Sequence, residues 1–132
     1  MKRRVRVVAG LFTRGSTVLV QQRPSTKARG DLWEFPGGKV EAGESDEQAL
    51  ARECAEELSV PVAVKAQLAI VQHEYEDLVV ELCLYAASMA PDARPQPNDA
   101  QRLAWVERAA LPALQFCEAD IPLLPRLEAH EL

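Results

Sequence analysis

The 132 residues contain only three cysteines, Cys54, Cys83 and Cys117, scattered without paired spacing. An odd, dispersed set closes no disulfide framework, so the thiols are expected to be reduced. Long apolar runs are missing as well. Nothing approaches the roughly 20 residues of a membrane-spanning helix, and no membrane partner is expected. Met1-Lys2-Arg3-Arg4 is basic, but the apolar run between Arg6 and Arg14 is too short for the core of a secretory leader and no cleavage site follows. A cytoplasmic location is the expectation. Positive charge is also scarce: the formal net charge is −5, whereas a surface for polymeric nucleic acid needs a basic stripe that tracks phosphates. A small anionic substrate held through metal remains compatible. There is no internal repeat and no low-complexity segment, and the length suits one core rather than two, so residues 1–132 are read as a single domain.

What the chain does have is a concentrated run of glycine and carboxylate. Glu34-Phe35-Pro36-Gly37-Gly38-Lys39-Val40-Glu41-Ala42-Gly43-Glu44 leads to Arg52-Glu53-Cys54-Ala55-Glu56-Glu57-Leu58. Ser45 with Gln48 three residues on reads as a capping box, and Asp46 and Glu47 suit the positive end of a helix dipole, so a helix is predicted to start near Asp46. On that helix Glu53, Glu56 and Glu57 share one arc beside an apolar stripe of Leu50, Cys54 and Leu58. Like charges at these spacings cost roughly 0.2–0.5 kcal/mol per pair. Arg52, one turn before Glu56, offsets part of that, and a hard divalent cation such as Mg2+ or Mn2+ would offset more. A solvated acidic helix face is the competing reading of the glutamates alone.

The rest of the pattern bears on the choice through a resemblance. From Gly38, five residues lead to Glu44 and seven more to Arg52-Glu53-Cys54-Ala55-Glu56-Glu57. This resembles the Nudix box, Gly-x5-Glu-x7-Arg-Glu-U-x-Glu-Glu-x-Gly-U with U aliphatic. Every charged position is present. Ser59 stands at the final glycine, which would end the helix in a left-handed conformation that a residue with a Cβ enters at a cost, so an altered cap near Pro61 is predicted. Cys54 occupies an aliphatic position, which suits a small buried residue.

Elsewhere the pattern reads as short strands. A strand through Val5–Phe12, a turn at Arg14-Gly15-Ser16 and a returning strand over Thr17–Gln22 are predicted as a hairpin. Polar residues 25–31 form a loop expected to lie over the site. Residues 60–75 and 78–87 read as paired strands about a Glu76-Asp77 turn, residues 88–100 as a loop, and 102–106 as a strand. Glu107–Leu111 is a helical turn, and a last helix is predicted to begin near Asp120 as N-cap, with Pro122 in its first turn and Pro125 bending it. His73 reads as structural. These elements fit a mixed sheet between helices, and the resemblance implies the Nudix α/β/α sandwich.

The resemblance also implies roles. The opening hairpin, the run Leu32–Lys39 and the segment Ala119-Asp120-Ile121-Pro122-Leu123-Leu124 are similar to MutT-type nucleoside triphosphate pyrophosphohydrolases, the last segment to CTP pyrophosphohydrolase members in particular. It implies phosphate contacts at Arg23 and Lys39, and metal held by the Gly37 carbonyl with Glu53, Glu56 and Glu57. Water attack on the triphosphate chain would release monophosphate and pyrophosphate. Glu53 is the first candidate to position or deprotonate that water, with Glu44 and Asp99 as rivals and Arg52 orienting the carboxylates. Phe35 either stacks on a base or belongs to the core. Asp120 either caps a helix or accepts from an amino edge of cytosine or guanine. Asp99 either approaches the metals or lies on the surface, and Arg23 either binds phosphate or is a solvated strand-end residue. Candidate substrates are 8-oxo-dGTP and a cytidine triphosphate. Hydrolysis of a nucleotide sugar or dinucleotide, and a non-catalytic nucleotide-sensing module, are the alternatives. The sequence leaves monomer and homodimer both open.

Overall fold

The computed structural model describes residues 2–132. In chain order it forms β1 (Arg3–Leu11), β2 (Thr13–Arg14), β3 (Thr17–Gln22), β4 (Trp33–Glu34), β5 (Gly37–Lys39), α1 (Asp46–Leu58), β6 (Ala63–Glu74), β7 (Leu78–Ser88) and β8 (Arg102–Glu107). Two 3₁₀ segments, Arg108–Ala113 and Glu118–Leu123, precede α2 (Leu124–Glu128).

β1 begins among exposed arginines and ends fully buried at Val8–Leu11, because both of its faces are covered there. It lies inside a mixed sheet of order β5-β1-β7-β6, parallel to β7 and antiparallel to β5. Val8 faces the α1 side, where Ala49, Leu50, Cys54 and Leu58 are buried against Cys83 and Tyr85. Ala9 and Leu11 face the opposite side, packing with Leu82, Leu84 and the C-terminal Leu111, Leu123 and Leu127. The α/β fold is therefore a mixed sheet with α1 on one face and the C-terminal segments on the other.

The predicted hairpin differs in its partners. β1 does not turn back onto β3: the returning pair is the short β2 with β3, and β3 also pairs with β4 and β8 in a second, antiparallel sheet. The cause lies at Phe12. Its ring folds back so closely over Gly10 that a Cβ there would sit 2.8 Å from it, and the buried ring marks where the chain leaves one sheet for the other.

α1 follows its sequence closely. Ser45 caps it, with Gln48 N–H donating to Ser45 Oγ at 3.1 Å and Ser45 N–H to Gln48 Oε1 at 3.0 Å. Asp46 does more than face the dipole: it accepts from Arg6 at 2.8 and 2.6 Å and from the Tyr85 hydroxyl at 2.7 Å, fixing the start of the helix to the sheet. The altered cap does not occur. Ser59 takes the left-handed conformation itself, φ 60, and its N–H bonds to Ala55 O, at a strain cost on the order of 1–3 kcal/mol.

The last helix is also displaced. Asp120 is no N-cap; it is buried within a 3₁₀ segment that starts after Cys117, and α2 begins four residues later. Pro125 sits in the first turn of α2 rather than bending it, the position where a missing N–H costs no helical bond.

Candidate active site

β5 is nearly all backbone, and that is its function. Gly37 and Gly38 pair with Ala9 and Val8 of β1. A Cβ on Gly37 would stand 1.9 Å from the Val8 carbonyl, and one on Gly38 2.4 Å from the carboxyl carbon of Glu53. The two glycines thus let α1 lay its carboxylates directly on the strand. Glu57 Oε1 accepts from the Gly37 N–H at 3.1 Å, and Gln21 Nε2 reaches both Glu57 Oε2 at 3.3 Å and Glu34 Oε2 at 3.2 Å.

Glu34, Glu53 and Glu57 line one cleft of about 520 Å³ together with Glu41, Asp77 and Asp120. Burial pushes the Glu57 carboxyl up to about 8, and the charge of Glu34 pushes the same way. Burial also raises Glu34 and Glu53, each opposed by an arginine: Arg23 donates to both oxygens of Glu34 at 3.1 and 3.3 Å, and Arg52 to Glu53 at 2.9 Å. Arg52 also grips Glu44 through two bonds of 2.7 and 2.9 Å, which hold the Glu44 carboxyl down at about 2. Arg52 therefore ties Glu44 at the loop to Glu53 on the helix, with Glu56 at 3.6 Å.

Of the residues singled out from sequence, Arg23, Phe35, Gly37, Lys39, Glu53, Glu57 and Asp120 line the cleft. Phe35 does so as a core residue, 3% exposed and packed on Phe116. Glu44, Arg52 and Glu56 lie just outside it, joined through the arginine. Asp99 is elsewhere: its carboxylate is exposed and paired with Lys27, although its N–H is linked through Gln101 to the Glu57 carbonyl. Asp120 is buried, and that burial, with the charge of Glu34, holds its carboxyl well above the usual range.

The sequence reading missed Glu34, Gln21 and Arg29 as site residues. Gln21 left a signal, a buried polar residue closing the apolar run Val18–Val20 of β3. Glu34 sat in the quoted motif with no role assigned, and its burial beside Arg23 appears only when β3 and β4 pair. Arg29, at the cleft's other end, left none.

As the side chains stand, Glu53 is turned onto Arg52 and Glu57 onto Gly37, and among the described residues no three acidic, histidine or cysteine groups converge on one point. The donor chemistry nonetheless fits a hard divalent cation: the half-buried carboxylates Glu34, Glu53 and Glu57 outnumber the two arginines that pair with them, and all the donors are oxygen.

A family model described as the NUDIX domain matches residues 7–126. The chain is 37% identical over 122 residues to the CTP pyrophosphohydrolase of Escherichia coli, covering 91% of this chain and 88% of that protein. It is 36% identical over 133 aligned positions to the 8-oxo-dGTP diphosphatase of Haemophilus influenzae, covering 98% and 96%. The solution structure of the E. coli ORF135 protein superposes with a TM-score of 0.81 at 34% identity, over 98% of this chain and 92% of that one. Matched over nearly its whole length, with Glu53 and Glu57 of its box set against the glycine strand, this chain belongs to the Nudix family of hydrolases.

Proposed function

We infer that this chain, as one Nudix domain over residues 1–132, hydrolyses a nucleoside triphosphate to the monophosphate and pyrophosphate, with a cytidine triphosphate or 8-oxo-dGTP as substrate. The observation that carries this is the polarity of a single cleft. One part holds Glu53, Glu57 and Lys39, with Glu34 joined to Glu57 through Gln21 and Arg23 paired to Glu34; another is lined by Asp120, Tyr75 and Asp77. The first suits a metal-bridged polyphosphate, and the second suits the hydrogen-bonding edge of a base. Relatives named for CTP and for 8-oxo-dGTP support the same substrate class.

Glu53, Glu56, Glu57 and the Gly37 carbonyl would hold Mg2+, or Mn2+ in its place. When bound, such an ion supplies a lowered water pKa and charge neutralisation on the phosphates. Glu53 is the residue assigned to orient the attacking water and take its proton. Of its rivals, Glu44 is held ionised by Arg52 and is too weak a base for the task, and Asp99 faces Lys27 outside the cleft. Arg52 keeps Glu53 in place by pairing with it and anchoring itself on Glu44. Lys39 and Arg23 supply positive charge for the phosphates, and Phe35 gives the cleft an apolar floor.

All these residues come from one chain, so a monomer or a homodimer serves equally. No described helix is long and apolar enough to cross a membrane, and the three cysteines are free and buried, in keeping with a cytoplasmic enzyme. The test is a panel of CTP, dCTP, 8-oxo-dGTP, dGTP, ADP-ribose and a diadenosine polyphosphate with Mg2+. Turnover of a triphosphate above the others is expected; activity confined to ADP-ribose or the dinucleotide would overturn the substrate class. Binding without turnover, with either metal, would establish a sensing module instead.

A further inference from the structure

The loop between β3 and β4 is held in a costly shape. Arg29 and Asp31 are both left-handed, φ 56 and 66, and between them a Cβ on Gly30 would lie 2.7 Å from the Ser25 carbonyl. Each non-glycine residue there costs on the order of 1–3 kcal/mol and persists only where its surroundings enforce it. Here they do. Arg23 Nε donates to Ala28 O at 2.9 Å, Gln22 Nε2 to Asp31 O at 3.0 Å, and Asp31 N–H to Arg23 O at 3.0 Å.

This backbone delivers the Arg29 side chain to the cleft. Its guanidinium carbon lies 3.9 Å from the centre of the Tyr75 ring, and Nη2 donates to Asp77 Oδ1 at 2.8 Å. Tyr75 is itself fixed, its hydroxyl accepting the Ala119 N–H at 3.0 Å beside Asp120 and its ring meeting His73 edge-on. Arg29, Tyr75 and Asp77 all line the cleft. Among the described residues, no protein acceptor takes the other N–H groups of Arg29.

We propose that Arg29 is a nucleobase contact, clamped by Tyr75 and Asp77 so that its remaining N–H donors meet a carbonyl oxygen of the base, with Tyr75 and Asp77 as its positioning residues. This rests on the nucleoside triphosphate reading above. Asp120 offers oxygen to the donors of a base, and a fixed guanidinium lining the same cleft offers hydrogen to an acceptor. The combination selects bases that carry an amino group and a carbonyl together, as cytosine and guanine do, over adenine or uracil.

The experiment compares kcat and KM for wild-type, Arg29→Ala and Asp77→Asn on the preferred triphosphate and on a deoxyribose 5-triphosphate that carries no base. Arg29→Ala is expected to raise KM for the nucleotide about ten-fold with kcat within about two-fold, the size of a lost charged hydrogen bond. The base-free compound should be unaffected. Asp77→Asn, which leaves the loop backbone alone, should raise the nucleotide KM about three-fold and carries the same readout if Arg29→Ala fails to fold. Equal shifts for nucleotide and base-free compound, or none in either variant, would overturn the role of Arg29 alone. A wild-type protein that neither turns over nor binds a triphosphate would overturn both readings.

Discussion

The two ends of the cleft are built by different means. At the α1 end, a 13-residue helix sets Glu53 and Glu57 by its own periodicity, and two glycines let those carboxylates touch β5. At the other end nothing is periodic: Arg29 comes from a strained loop, Tyr75 and Asp77 from the β6–β7 turn, and Asp120 from a 3₁₀ segment. A helix fixes groups relative to one another at little cost, which suits chemistry that must not vary. Loops held by a few hydrogen bonds and ion pairs are easily altered one residue at a time, which suits choosing a base. The division expected is that damage at the first end falls on kcat, and damage at the second on KM and preference.

Glu53→Gln should show that division most strongly. It keeps the size of the side chain and removes the base, so kcat is expected to fall by about 10²–10⁴-fold with the circular dichroism spectrum unchanged. Near-normal turnover would remove Glu53 from the assigned role. Gly38→Ala comes next. The three atoms nearest the added methyl all belong to the Glu53 carboxyl, the far end of a flexible side chain, so stability should hold while the carboxylate is displaced, and kcat should fall by about 10²-fold. A large loss of stability without loss of kcat would make Gly38 a purely structural requirement.

Asp120→Asn probes the other end. It should change the ratio of kcat/KM between cytosine and guanine triphosphates by about ten-fold while leaving the better kcat within about two-fold. The same variant has a pH signature. Burial raises the Asp120 carboxyl in the folded state, with Glu34 adding to it. An acid with a folded pKa above its unfolded one favours folding while protonated, below about pH 4, and loses that contribution as pH climbs from the unfolded toward the folded value. The melting temperature of Asp120→Asn relative to wild-type should therefore rise between pH 4 and pH 7; a constant difference would contradict the burial of an ionisable group there. The smallest expected effect is Ser45→Ala, which removes the cap of α1 at about 1 kcal/mol by urea unfolding and leaves KM unchanged.

The same contrast explains what could be read without coordinates. Glu53, Glu57, Arg52 and the capping box were legible because helix spacing is a local property of sequence. Asp120 stands out in the sequence as either a helix cap or an acceptor for a base edge, but its burial depends on packing of the C-terminal segment over the sheet, which no local pattern carries. The β1–β3 hairpin failed for a related reason: strand alternation marks a strand but not its partner, and the chain changes sheet at Phe12. Arg29 was invisible since only a left-handed backbone, forced by contacts with Arg23 and Gln22, brings it to Tyr75. Asp99 shows the converse, a residue to which the resemblance lends a role near the metals and whose side chain is paired with Lys27.

The most direct test of the central claim is the identity of the products. Purified protein would be incubated with CTP or 8-oxo-dGTP and Mg2+, and the products resolved by ion-exchange chromatography over a time course. Equal amounts of nucleoside monophosphate and pyrophosphate, with none formed in excess chelator, are expected. Nucleoside diphosphate with orthophosphate would contradict the assigned reaction.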